Sequence, residues 1–128
     1  MRLWAQDEED AAIISALMQD ACIRADETHF DAAARRVTML ASRFCWECET
    51  PQRIRAAVRI ESVLGARRRN WPAGSDTVLD LLGFVVEPDR VTLVFAGGAE
   101  IAIDVECIDI IFEDLGGPHQ AAKPEHEA

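Results

Sequence analysis

Two cysteines stand three residues apart in the stretch R-F-C-W-E-C-E, Arg43 to Glu49. That spacing belongs to redox pairs and to half-sites for metals. A thioredoxin-type pair sits at a strand-to-helix turn, where the helix N-terminus lowers a thiol pKa. Here Thr50-Pro51 and a strand-like run follow instead. Zinc needs two further ligands, and the chain has no second C-x-x-C. In a regular strand residues three apart point to opposite faces, so Cys45 and Cys48 are expected to stay apart unless the chain bends at Glu47. The same alternation places Phe44, Trp46 and Cys48 on a core face, with Arg43, Cys45 and Glu47 opposite. Cys22 and Cys107 lie in apolar alternation and read as core fillers. Four free thiols are the expectation for a reducing cytosol.

The remaining chemistry-bearing residues are weaker pointers. Asp104, Glu106, Asp109 and Glu113 offer hard oxygen ligands, but no EF-hand spacing organises them, and a solvated face explains them. Gly97-Gly98 lies between two strand patterns, which makes it a hairpin turn and not a phosphate loop. His29, His119 and His126 form no ligand spacing, and no G-x-S-x-G accompanies a serine. No catalytic residue, metal or cofactor is assigned. The arginines remain. If the strands carrying Arg43 and Arg55/Arg59 are neighbours, their guanidinium groups line one sheet face with Arg67 at its end, a surface suited to an anion or an acidic partner. Charge pairing with Glu47, Glu61 and the flanking acidic segments is the competing reading.

These residues are positioned by a pattern of many short strands. Asp7 with Glu8, Glu9 and Asp10 marks a helix start, and Ile13, Ile14, Leu17 and Met18 give one apolar face over roughly 8–20. Strands are expected over C-I-R-A-D-E-T-H-F, V-T-M-L-A-S-R-F-C-W-E and R-I-R-A-A-V-R-I-E-S-V-L-G-A-R. Two hairpins follow, turning at Pro88-Asp89 and at Gly97-Gly98. Ile108, Ile111, Phe112 and Leu115 fit a short closing helix ended by Gly116-Gly117-Pro118. The expected fold is α+β: a curved antiparallel sheet or small open barrel of six to seven strands, a helix in the N-terminal region and a short C-terminal helix. Residues 1–117 form one domain and 118–128 a loose tail.

The 128 residues suit one domain with its own core, and 49% apolar with 28% charged residues suit a globular protein. No run approaches the length of a membrane helix, so no membrane role is expected, and the early acidic residues argue against a signal peptide and for the cytoplasm. The net charge of -10 disfavours nucleic acid as a partner, although residues 35–69 hold nine arginines against three glutamates.

The motifs L-W-A-Q-D-E-E-D, S-A-L-M-Q-D-A, R-F-C-W-E and F-A-G-G-A-E-I-A-I-D-V-E-C-I-D followed by D-L-G resemble a small alphaproteobacterial family, domain-of-unknown-function family 2948. The resemblance runs from Leu3 to about Gly116. It implies a cytoplasmic role and supplies no activity, cofactor or catalytic residue to transfer. The favoured function is a non-catalytic module that binds a protein partner or itself as a homo-oligomer. The alternative is a metabolite-binding sensor or enzyme using an anion site at Arg43, Arg55, Arg59 and Arg67.

Overall fold

The computed structural model describes residues 1–117 and 119–120. The chain runs β1 (Arg2–Ala5), α1 (Glu8–Met18), β2 (Cys22–Arg24), β3 (Thr28–Asp31), β4 (Arg36–Phe44), β5 (Gln52–Ile60), β6 (Val63–Arg69), β7 (Val78–Glu87), β8 (Arg90–Phe95), β9 (Glu100–Val105), β10 (Ile110–Asp114) and β11 (His119–Gln120). All pairings are antiparallel, in the order β1-β10-β5-β4-β2-β7-β8-β9-β6. β3 and β11 attach to β4 and β5 beside that path. The molecule is therefore mostly β: one open, curled antiparallel sheet and one α-helix among the described residues. The expected α+β fold of six to seven strands with a C-terminal helix is corrected.

The closing helix is strand β10. Ile108, Ile110 and Phe112 are buried while Glu113 is exposed, which is a period of two. Spacings of three and four among Ile108, Ile111, Phe112 and Leu115 imitate a helix over so short a run. Consecutive isoleucines favour a strand, because β-branched side chains suit a pleated, half-buried surface. Phe112 settles the matter by filling the core opposite Val58 on one side and Leu3 on the other.

Two expected strands are each broken in two. A one-turn 3-10 segment, Ala25–Glu27, separates β2 from β3. Ser62, in the left-handed region at φ 58°, separates β5 from β6. These two do not pair with each other: β5 lies between β4 and β10, whereas β6 pairs with β9. Ser62 is thus where the chain crosses from one arm of the curled sheet to the other.

α1 begins as its residues dictate, with the Asp7 carboxylate accepting the Asp10 N–H at 2.8 Å. Ala11, Ile14 and Met18 are buried against β7, β1 and β4, while Ile13 faces solvent. β7 carries a bulge between Leu81 and Gly83, and the Phe84 N–H donates to Ser15 Oγ at 2.9 Å, tying sheet to helix. The hairpins β7–β8 and β8–β9 form at the expected turns, with positive φ at Gly97 and Gly98. Of the expected tail, His119 and Gln120 lie along Arg53 and Gln52 of β5, and the rest falls outside the described residues. No helix among the described residues is long and apolar enough to cross a membrane.

Candidate functional site

Arg43 is the most unusual residue of the fold. Alternation along β4 puts Val37, Met39, Ala41 and Arg43 on the inner face, so a guanidinium stands where an apolar side chain belongs. Its side chain is 0% exposed. A buried charge is tolerated only if it is paired and its donors are satisfied. Asp114, at the end of β10, takes Nε at 2.8 Å and Nη2 at 3.0 Å. Glu47 takes Nη1 at 3.1 Å and Nη2 at 2.6 Å, and the Phe44 carbonyl lies 3.4 Å from Nη1. Those contacts match the five N–H donors of a guanidinium. The group also lies over the Phe112 ring, 5.4 Å from its centroid.

The electrostatics follow from that shell. Burial opposes the charge on Arg43, but the hydrogen bonds to Asp114 and Glu47 outweigh it and push its pKa further up. The Arg43 hydrogen bonds hold the Glu47 carboxyl below its usual range, against partial burial. Met1 places its amino group 3.6 Å from Asp114 Oδ2. Every donor of Arg43 points inward to the protein's own oxygens, so the guanidinium serves the fold as an internal clasp between β4, β10 and the turn after β4.

That turn holds the cysteines. β4 ends at Phe44, so strand alternation stops before Cys48. The Cys48 N–H turns back to the Cys45 carbonyl at 3.4 Å, and the two Cα atoms lie 5.4 Å apart in a Cys45–Cys48 disulfide. This bend corrects two expectations, that Cys45 and Cys48 lie on opposed faces and that all four thiols are free; Cys22 and Cys107 are free. Cys45 is buried, whereas Cys48 is half-buried. The expected core face is reversed as well: Trp46 is exposed and donates Nε1–H to the Gln19 carbonyl at 3.3 Å, packing edge-on against Phe44. Of the other cysteines, Cys107 is exposed and not a core filler. Cys22 is half-buried, and burial raises its thiol pKa beside Asp80.

The other predicted arginines do not join Arg43. Arg55 and Arg59 stand opposite Ser42 and Thr38 on the outer face of β5, and Arg67 stands on β6. Arg55 meets Glu27 at 3.3 Å, Arg59 meets Glu61 at 3.7 Å and Arg67 meets Asp104 at 3.2 Å. The carboxylates of the 104–113 stretch are dispersed too. Asp104 also takes Arg90 at 2.9 Å, and chiefly through that bond is held below the usual carboxylate range. Glu106 pairs with Arg35, and Asp109 accepts the Trp4 Nε1–H at 2.6 Å. Among the described residues no three His, Cys, Asp or Glu side chains cluster as a metal would require.

A second feature was not singled out from sequence. β1 ends the sheet path, and among the described residues no strand covers its outer edge. Beside it Arg2, Leu3, Trp4 and Ile111 line a hollow of about 370 Å³, with Trp4 61% exposed. A tryptophan in a four-residue terminal strand was the available signal.

The residues of the clasp come from two of the motifs that carry the family resemblance. Arg43 and Glu47 belong to R-F-C-W-E, and Asp114 opens D-L-G, so segments 71 residues apart meet at one ion cluster. No curated protein and no solved structure matches the chain. The family described as "Protein of unknown function (DUF2948)" matches residues 1–126, and the chain belongs to that family.

Proposed function

We propose that the protein is a non-catalytic interaction module that receives an extended segment of a partner protein along the free edge of β1. The observation carrying this reading is that edge, with Trp4 exposed beside it over an apolar hollow. An uncovered edge offers a row of main-chain donors and acceptors to an added strand, and a neighbouring hollow selects a side chain. Large exposed aromatics are favoured anchors at such contacts. Charge indicates the partner's character. Asp7, Glu8, Glu9 and Asp10 are exposed immediately after β1, and Glu113 is exposed opposite Arg2. A basic segment with an apolar residue complements this edge, whereas a second copy at net charge -10 is repelled at long range. The non-catalytic reading is supported by Arg43, held by the buried Asp114, and by the surface carboxylate partners of Arg55, Arg59 and Arg67.

The test is an amide-resolved NMR titration with short extended peptides alternating valine with lysine, and with glutamate in place of lysine as the control. The lysine peptides are expected to shift amides of β1 and β10, and Trp4→Ala to weaken the response roughly tenfold, as loss of an aromatic anchor does. An unperturbed β1, or an equal response to the glutamate peptides, overturns the proposal. A stable dimer by light scattering that Trp4→Ala dissolves replaces it with self-association.

A further inference from the structure

The curled sheet has a seam. β6 is the other end of the strand path, and among the described residues β3 pairs with β4 alone. Across the gap between them Arg68 Nη2 donates to the Thr28 carbonyl at 3.0 Å. Farther along, the Val63 N–H donates to the Arg35 carbonyl at 3.0 Å. Between the strands lies a hollow of about 270 Å³ that reaches the inner face of the sheet.

Register identifies its walls. Thr28 and Phe30 stand opposite Met39 and Val37, so both belong to the inner face of β3. Ala66 and Arg68 stand opposite Ile103 and Ile101, on the inner face of β6. Phe30 is nevertheless 40% exposed, and among the described residues no strand pairs with β3 on the side away from β4. The Thr28 hydroxyl oxygen is buried without a hydrogen-bond partner among the described residues. Arg68 is braced on the Trp71 ring at 4.8 Å, and no carboxylate among the described residues pairs with it, unlike Arg55, Arg59, Arg67 and Arg69.

We propose that this seam binds a small amphipathic monocarboxylate, its apolar chain against Phe30, Val37, Ala66 and Ile101 and its carboxylate on Arg68. Size excludes a peptide strand. At about 30 Å³ per water-sized group the hollow holds roughly nine such groups, and the Arg68–Thr28 bond bars a threaded chain. Charge sets the head group: one uncommitted guanidinium, in a chain of net charge -10, balances one negative charge better than two. The planar fork of arginine fits a carboxylate. A head group on Arg68 also arrives at Thr28, the residue with the unsatisfied hydroxyl. Binding here is independent of strand addition at β1, which uses the opposite end of the sheet path.

Isothermal titration with sodium octanoate below its micellar range, with octylamine and octan-1-ol as controls, tests the site. Octanoate is expected to bind once per chain and both controls far more weakly. Arg68→Gln should weaken binding roughly tenfold or more, the worth of a charged hydrogen bond. Ala66→Met, which fills the hollow, should abolish it, and Arg55→Gln should leave it unchanged. Amide shifts on the unsubstituted protein should map to 28–30 and 66–68, a result that does not depend on any variant folding. No octanoate binding, binding that survives both Arg68→Gln and Ala66→Met, equal binding of octylamine, or shifts mapping elsewhere each overturn the proposal.

Discussion

At the scale of single residues, Arg43 separates what a sequence can say from what it cannot. Strand alternation sets Arg43 opposite Phe44, but the apolar set Phe44, Trp46 and Cys48 points the wrong way for the core. The deciding partner, Asp114, lies 71 residues away, and local patterning carries no trace of it. Removing one member of a buried ion cluster strands the others, so Arg43→Met is expected to destabilise the fold by about 3–5 kcal/mol. Arg43→Lys, which keeps the charge but offers three donors in place of five, should lose less. Urea unfolding midpoints check both. Glu47 adds a pH dependence with a defined sign. Its folded pKa is depressed, chiefly by hydrogen bonding to Arg43, so its contribution is present above the unfolded value of about 4.3 and lost as pH falls through the lower folded value. The stability difference between the wild type and Glu47→Gln should hold steady near neutrality and close in acid. A difference that stays constant down to the acid limit would show that Arg43 does not draw on the Glu47 charge.

At the scale of elements, turns and caps were legible and strand ends were not. Asp7 with its acidic neighbours announces α1, and Pro88-Asp89 and Gly97-Gly98 announce the two hairpins, because each involves chemistry local to a few residues. The end of β4 at Phe44 has no such marker, and only a strand continuing past it would hold Cys45 and Cys48 apart. β10 imitates a helix because five residues are too few to distinguish a period of two from 3.6 when isoleucines are adjacent. The disulfide-closed turn makes a prediction of its own. Closing so short a loop restricts the unfolded chain by about 2 kcal/mol, and the same turn carries Glu47. Reduction should therefore lower the urea midpoint by at least that equivalent. Thiol counting under denaturing conditions should rise from two groups, Cys22 and Cys107, to four. Cys45→Ser with Cys48→Ser should reproduce the reduced protein and respond to reductant no further.

At the scale of the whole molecule, the curved antiparallel sheet was visible in the run of short strands, whereas its path was not. Nothing in the run from Arg53 to Arg67 reveals that Ser62 sends its two halves to different arms. The segregation of charge is resolved in the same long-range way: arginines of the central third pair with Glu27, Asp104, Glu106 and Asp114 from either side of it. One feature of that path governs how the chain must be made. β10 stands between β1 and β5, so residues 2–5 have no strand partner until residues 110–114 exist. Pairings so distant along the chain are slow to form, since loop closure must come before any contact rewards it. A growing chain on the ribosome therefore carries β1 unpaired, and Arg43 without Asp114, until residues 110–114 have been made. The arrival of that one short strand completes both at once.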